Sequence, residues 1–287
     1  MPTVDAATIA DYEQRGHAVV RAALSPDELA DAREVVPAAT AGSRQRDVPL
    51  ERRSTYQRAF VQEMNLWQRF EAVRPLVFSP RLAARAAALL GVDHVRIYHD
   101  QALSKEPHGG ATPWHVDQQY WPLATDKTIT AWIPLQDVPA PMGPLRFARA
   151  SHDIAAARDL PISDESERMI TDEIATRRLV IDETEYALGD VSFHGGWTFH
   201  GARGNRTDAW RHVLTVIYFA DGTCLAPPAR PEQEFDRRTW LPDSEVGRPI
   251  DSWLNPVVVD GVIARLPPPA PMVGTARADD PSARPPS

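Results

Sequence analysis

The stretch Trp114-His115-Val116-Asp117-Gln118-Gln119-Tyr120-Trp121 puts an imidazole and a carboxylate two residues apart, among aromatic and β-branched neighbours. These neighbours predict a strand or a strand end, where residues i and i+2 share a face, so both side chains can address one point. An imidazole nitrogen and a carboxylate oxygen suit a divalent first-row metal, which leaves a third ligand to be found. Gly189-Asp190-Val191-Ser192-Phe193-His194-Gly195-Gly196-Trp197-Thr198-Phe199-His200-Gly201 offers two candidates. His200 is the preferred third ligand. His194 is its rival, or else a core residue or a donor behind the ligands, and spacing alone leaves the two open. Two His and one carboxylate on one face of a metal leave the opposite face free, the arrangement of non-haem Fe(II) oxygenases. A His-x-Asp pair by itself is a weak signal in a chain with nine histidines. It gains weight from its β-rich context, from the second His-rich stretch, and from Arg211 at the start of the next β-rich run. His99, His108, His152 and His212 read as structural, and His17 and His94 as surface or packing residues.

The elements that must position these residues are readable in outline. Residues 5–15 form a helix stopped by Gly16, a suitable C′ residue, and His17 to Arg21 read as a short strand. Ser25-Pro26-Asp27-Glu28 has the N-cap, Pro at N1 and Glu at N3 of a capping box, opening a helix to about Val36. Residues 59–72 read as helical, with Phe60, Met64, Trp67 and Phe70 as a core stripe. Ser79-Pro80 opens a further helix that ends at Gly91. From residue 92 the texture turns to strands: Val92–Leu103, Thr128–Leu135, Gly143–Phe147 and His212–Ala220. Residues 153–178 read as a polar insertion, helical or irregular. Glu185–Leu188 and Val191–His194 read as a hairpin about Gly189-Asp190. Many short strands after a helical third (residues 1–91) predict a mainly β fold with α-helices: a double-stranded β-helix, or jelly roll, flanked by N-terminal helices. One domain is expected over residues 1–265, and a flexible Pro-rich tail over 266–287.

Composition narrows the function classes. A length of 287 residues with 43% hydrophobic and 24% charged residues suits a globular protein with a substantial core. A net charge of −8 excludes a global basic field for nucleic acid. No apolar run is long enough to span a bilayer, and the N-terminal residues lack a basic stretch followed by an apolar one. A single cysteine, Cys224, excludes an intrachain disulfide and thiolate-rich metal sites, so a cytoplasmic setting is expected. Of 27 prolines, 13 lie after residue 226, which marks a change of character towards the C-terminus.

The chain resembles the phytanoyl-CoA dioxygenase-like family of Fe(II)/2-oxoglutarate oxygenases. The resemblance rests on the helix-Gly-strand opening near Gly16, Ser25-Pro26-Asp27-Glu28, and Lys105-Glu106-Pro107 ahead of Trp114-His115-Val116-Asp117. It continues through Trp132, Met142-Gly143-Pro144-Leu145, Ala150-Ser151-His152, Gly189-Asp190, His200-Gly201, Asn205-Arg206-Thr207 and Arg211. It implies Fe(II) ligation by His115, Asp117 and His200 rather than His194. It implies that Arg211 binds the distal carboxylate of 2-oxoglutarate, with Gln101 and Trp132 lining the cosubstrate pocket. Where family members often carry Ser two residues after the distal His, this chain has Ala202. Thr207 is a candidate to supply the missing hydroxyl.

With O₂, that set implies oxidation of a C–H bond in a small molecule, by default hydroxylation, with release of succinate and CO₂. Epimerisation, desaturation and oxidative cyclisation use the same set, whereas halogenation is disfavoured because Asp117 is present. A non-redox metal-binding isomerase or sensor is the contrasting class. Trp114, Tyr120, Trp121, Trp197 and Phe199 either fill the barrel or line a pocket for an apolar or ring-containing substrate. Arg44, Arg46, Arg52, Arg53 and Arg58 read as a solvated loop, or as a lid facing an anionic part of a substrate.

Overall fold

The computed structural model describes residues 4–259 and 262–263; the expected tail, 266–287, lies outside them. Helix α1 (Ala6–Arg15) starts with Asp5, whose carboxylate accepts from Thr8 N, and ends at Gly16 with φ of 80°, a left-handed conformation that only Gly adopts cheaply. Strand β1 (His17–Val20) follows directly. Helix α2 (Pro26–Ala41) opens with both hydrogen bonds of the capping box between Ser25 and Glu28. It continues past Val36 and through Pro37, and the buried Thr40 returns its hydroxyl to the Val36 carbonyl at 2.9 Å.

The expected helix over 59–72 does not form. That stretch is the end of α3 (Thr55–Ala59), strand β2 (Val61–Met64), and the single-turn helix α4 (Leu66–Arg69). Asn65 breaks any continuous helix with φ of 46°, and pairing with the next strand claims 61–64. Phe60 and Trp67 are nevertheless buried, so the apolar positions carry core residues on a different backbone. Helix α5 (Arg74–Val77) and helix α6 (Pro80–Leu90) complete the N-terminal layer, and α6 is capped by Ser79 and stopped at Gly91, φ 65°.

The strands then build two antiparallel sheets. They are β3 (Val95–Lys105), β4 (Thr112–His115), β5 (Thr128–Pro134), β6 (Leu145–Ala148), β7 (Ile181–Glu183), β8 (Val191–Gly195), β9 (His200–Ala202), β10 (Arg211–Ala220), β11 (Val257–Val259) and β12 (Val262–Ile263). The larger sheet runs β1-β8-β5-β10-β3-β11-β12, with β2 also paired to β3, and the smaller runs β4-β9-β6-β7. This is a double-stranded β-helix with helices on one side. Leu29, Val36, Leu82, Ala86 and Leu90 of α2 and α6 pack on Ile97, Ala131, Ile133, Leu214 and Val216 of the larger sheet. The expected hairpin over 185–194 is absent: Val191–Gly195 pairs with β1 and β5, while Tyr186 makes only an isolated bridge to Val138. In the polar insertion, helix α7 (Asp164–Arg177) packs against β4. Helix α8 (Pro231–Trp240) lies against the one-turn segment Gln118–Tyr120.

Candidate metal centre

His115 ends β4 and His200 begins β9, and the two are register partners. At Gly201 the strands come so close that a Cβ would lie 2.8 Å from the Thr112 carbonyl. Each imidazole is oriented by its own backbone: Nδ1 of His115 lies 2.8 Å from the Pro113 carbonyl, and Nδ1 of His200 lies 2.9 Å from that of Thr198. An Nδ1–H donated to a carbonyl leaves Nε2 as the free lone pair, the form a metal needs. Asp117 reaches the same point by a different route from strand alternation. Its backbone is already helical, with φ of −76° and ψ of −40°, and it stands immediately before the turn Gln118–Tyr120 without capping it through its side chain. One carboxylate oxygen, Oδ1, lies 3.6 Å from His115 Nε2 and 3.5 Å from His200 Nε2. Ligand atoms of all three residues fall within 4.8 Å of one another.

The other oxygen of Asp117 is held from behind. Thr130 Oγ1 donates to Oδ2 at 3.0 Å, and His194 Nε2 lies 3.3 Å from it. Thr130 and His194 are register partners on β5 and β8, so both face inward together. The structure thus brings His194 to the carboxylate's outer oxygen, and leaves the three-residue cluster to His115, Asp117 and His200. Burial raises the Asp117 carboxyl, but His200, His115 and His194 outweigh it and hold it well below the usual carboxylate range. Burial, then the charge of His115, drives His200 well below the usual imidazole range. Both shifts favour the ligating forms, carboxylate and neutral imidazole.

Further along the same inner face, Gln101, Thr215 and Trp132 are register partners across β3, β10 and β5. Arg211, also on β10 and 2% exposed, lies with its guanidinium carbon 5.6 Å from the Trp132 ring centroid. It donates to the Gly143 carbonyl, its Nε has no partner, and burial lowers it to about 10. Its register partner Lys105 is fully buried too, donating to Gly110 O and to Thr112 Oγ1. Burial, then the charge of Arg211, lowers Lys105 well below its ordinary value. Among the described residues no carboxylate pairs with either cation. Two buried positive charges without a counter-ion are costly unless an anion binds between them. Arg203 and Arg206 are exposed, and Arg203 pairs with Glu183 at 3.1 Å.

Thr207 does not stand in for the missing serine hydroxyl in this arrangement: its own hydroxyl donates to Asn205 Oδ1 at 2.7 Å, inside the turn before β10. Thr112, the register partner of Ala202, is the buried hydroxyl beside that position, and it already meets Lys105. Lys105 was visible in the sequence only as one mark of the family; its burial opposite Arg211 is a fact of strand register.

Of the aromatic residues near the motifs, Trp114 and Phe199 are buried in the cluster beneath α7, with Trp197 packed on it. These fill the outer side of the smaller sheet. Trp121 instead packs with Tyr98, 5.4 Å between ring centroids, and Tyr120 accepts from Ile162 N. Two charges of the Arg-rich stretch are engaged elsewhere, and Arg44, Arg52 and Arg58 are exposed. Arg53 is buried against Glu106, and Arg46 stacks over Trp210. What that stretch does supply is Tyr56 on α3, with its hydroxyl on Gln62 Oε1 at 2.7 Å. Burial, then the charges of Tyr120 and Asp117, raise the Tyr56 phenol above its ordinary value.

A family model described as phytanoyl-CoA dioxygenase (PhyH) matches residues 12–213, which include His115, Asp117, His200, Gln101, Trp132, Lys105 and Arg211. A probable alpha-ketoglutarate-dependent hypophosphite dioxygenase of Stutzerimonas stutzeri is 26% identical over 161 residues, 53% of this chain and 54% of that one. The chain therefore matches about half the length of that relative. Among solved structures, the non-heme alpha ketoglutarate dependent carbocyclase SnoK from nogalamycin biosynthesis superposes with a TM-score of 0.71 at 23% identity, over 89% of this chain and 97% of that one. The epimerase SnoN, in complex with Fe3+, alpha ketoglutarate and nogalamycin RO, gives 0.71 at 22%, over 88% and 97%. EctD from S. alaskensis with 2-oxoglutarate and 5-hydroxyectoine gives 0.66 at 23%, over 79% of each chain. At such identities these likenesses speak for the fold, and the family match spans most of the chain. The chain belongs to the phytanoyl-CoA dioxygenase family.

Proposed function

We propose that the protein is an Fe(II)- and 2-oxoglutarate-dependent dioxygenase that oxidises a C–H bond of a small molecule, by default hydroxylating it. The observation that carries this reading is the pairing of two unsatisfied sites on one inner face: three converging ligand atoms, and a buried, carboxylate-free Arg211 beyond them. His115 Nε2, His200 Nε2 and Asp117 Oδ1 would hold the iron, and two neutral imidazoles with one carboxylate are the donor set it takes. Arg211 would take the distal carboxylate of 2-oxoglutarate through its planar fork, with Lys105 adding a second positive charge beside it. Gln101 and Trp132 would flank the cosubstrate between that anchor and the metal. Bound there, iron and 2-oxoglutarate supply O₂ activation coupled to loss of CO₂ and formation of succinate. The chain's part is orientation: Thr130 and His194 keep Asp117 turned so that one oxygen faces the metal, and Pro113 and Thr198 fix both imidazole tautomers.

Anaerobic addition of Fe(II) and 2-oxoglutarate tests this. A visible metal-to-ligand charge-transfer band should appear only when both are present, and it should be lost in Asp117→Ala. Absence of the band in the parent protein would falsify the proposal. A band that survives Asp117→Ala but vanishes in His194→Ala would move the metal to the rival histidine.

A further inference from the structure

The buried face of α8 is polar where a helix held only by packing would be apolar. Gln233, Asp236 and Trp240 fall on one face at i, i+3 and i+7, and Gln233 and Asp236 are both buried. Gln233 Nε2 donates to the Gln119 carbonyl at 3.0 Å, which ties this face to the turn that follows Asp117. Asp236 is 8% exposed, and its Oδ2 accepts from the Tyr98 hydroxyl at 2.8 Å. Among the described residues its carboxylate receives no other hydrogen bond and has no cationic partner. Burial raises its carboxyl to about 7, with only the Tyr98 hydrogen bond opposing the rise.

Aromatic rings are gathered about the Tyr98 that holds this carboxylate. Tyr98 lies 4.9 Å from His99 and 5.4 Å from Trp121, and Trp240 lies 5.4 Å from His99, all between centroids. Asp236 is brought towards the metal centre by α8 itself, which lies against the turn Gln118–Tyr120 that directly follows Asp117. On β3, Tyr98 precedes Lys105 by seven residues, roughly 20 Å at the usual strand rise. Positive charge therefore stands at one end of β3, on Lys105 and its partner Arg211, and the Asp236 carboxylate at the other, on Tyr98.

Resting on the oxygenase reading above, we propose that the primary substrate carries a basic nitrogen, bound as an ammonium by Asp236 beside the rings of Tyr98 and Trp240. A buried carboxylate without a counter-charge is costly to keep, and a cationic ligand removes that cost. An ammonium also gains from the negative faces of adjacent rings.

Benzylamine and benzyl alcohol are suitable probes, nearly equal in shape and different in charge at neutral pH. Each is titrated by calorimetry into protein loaded anaerobically with Fe(II) and 2-oxoglutarate, whose charge-transfer band reports loading separately. The parent protein should bind benzylamine about ten-fold more tightly than benzyl alcohol, or better, as expected for one charge-assisted hydrogen bond. In Asp236→Asn, which keeps the shape and the contact to Tyr98, the ratio should fall to near one while the band persists. Equal binding of the two probes by the parent, no binding of benzylamine, or a preference unchanged in Asp236→Asn would each overturn the proposal. A missing band with the amine preference intact would instead sink the oxygenase reading and leave the ammonium site standing.

Discussion

Asp117 divides its two oxygens between two tasks. Oδ1 points at the histidine pair, while Oδ2 is engaged by Thr130 and lies next to His194. A carboxylate held from behind cannot rotate to offer both oxygens, which keeps it a single ligand. Arg211 has the same character: Nη1 is anchored on the Gly143 carbonyl and Nε is left free. Arg211→Ala should therefore leave Fe(II) affinity nearly intact and weaken 2-oxoglutarate binding. Truncating one partner of a buried charge pair costs on the order of 2–5 kcal/mol, or about thirty-fold to several-thousand-fold in affinity. Lys105→Met should weaken 2-oxoglutarate binding by about ten-fold, since the guanidinium fork would remain. Titrating the charge-transfer band with 2-oxoglutarate in each variant gives the numbers. Parent-like affinity in Arg211→Ala would leave Arg211 a purely structural residue, and parent-like affinity in Lys105→Met would confine Lys105 to holding the Gly110–Thr112 loop.

Helix α4 shows how an element too short to stabilise itself is held in place. It has no cap of its own, and its N-cap residue Asn65 is in the left-handed region. The buried carboxylate of Asp100, from β3, accepts instead from Leu66 N at 2.8 Å and Trp67 N at 3.3 Å. Asp100→Ala would leave two buried N–H groups without partners, at about 1–3 kcal/mol each. Ser25→Ala removes an exposed capping-box oxygen from α2 and should cost about 1 kcal/mol. Urea denaturation of the two variants distinguishes these cases, and an Asp100→Ala cost no greater than that of Ser25→Ala would rule out the borrowed cap. The same comparison explains what the sequence could reveal. The start of α2, the end of α1 and both ends of α6 were legible because their signals are local: Ser25, Ser79, Gly16 and Gly91 act on backbone within a few residues, whereas α2 runs five residues beyond the expected Val36. The helical reading of 59–72 failed because its apolar spacing was met by a strand paired with β3, a contact from 37 to 43 residues away (Met64 with Gln101, Val61 with Ser104) that no local pattern contains. At the site, the His115-x-Asp117 spacing was legible. That Lys105 would be buried opposite Arg211, or that Asp236 would reach Tyr98, depends on register and on a helix returning from far along the chain.

Closing two sheets on one another buries titratable groups across the whole molecule, and that sets its response to pH. His17 is the clearest case. It is 6% exposed, stacks on Phe147 with ring centroids 4.3 Å apart, and meets Asp182 Oδ2 at 3.1 Å. Burial lowers it to about 4, even though Asp182 pulls the other way. An unfolded histidine titrates near ~6.5, so between that pH and about 4 the unfolded chain binds a proton that the folded one refuses. Stability from this group is therefore full above ~6.5 and is lost as pH falls through the window, amounting to about 2 kcal/mol by pH ~5. Burial lowers His99 and His212 in the same sense, to about 3 and about 4. Burial raises Asp100 and Asp236 to about 7, so their contribution has the opposite sign: full below ~4 and lost as pH rises towards 7. The net profile mixes both signs, but subtracting the profile of a His17→Gln variant from that of the parent, in identical buffers, isolates His17. The difference in unfolding free energy between pH ~7 and pH ~5 should be about 2 kcal/mol smaller in the variant than in the parent. A variant as sensitive to acid as the parent would show that His17 accepts its proton inside the fold, with Asp182 compensating for the burial in full.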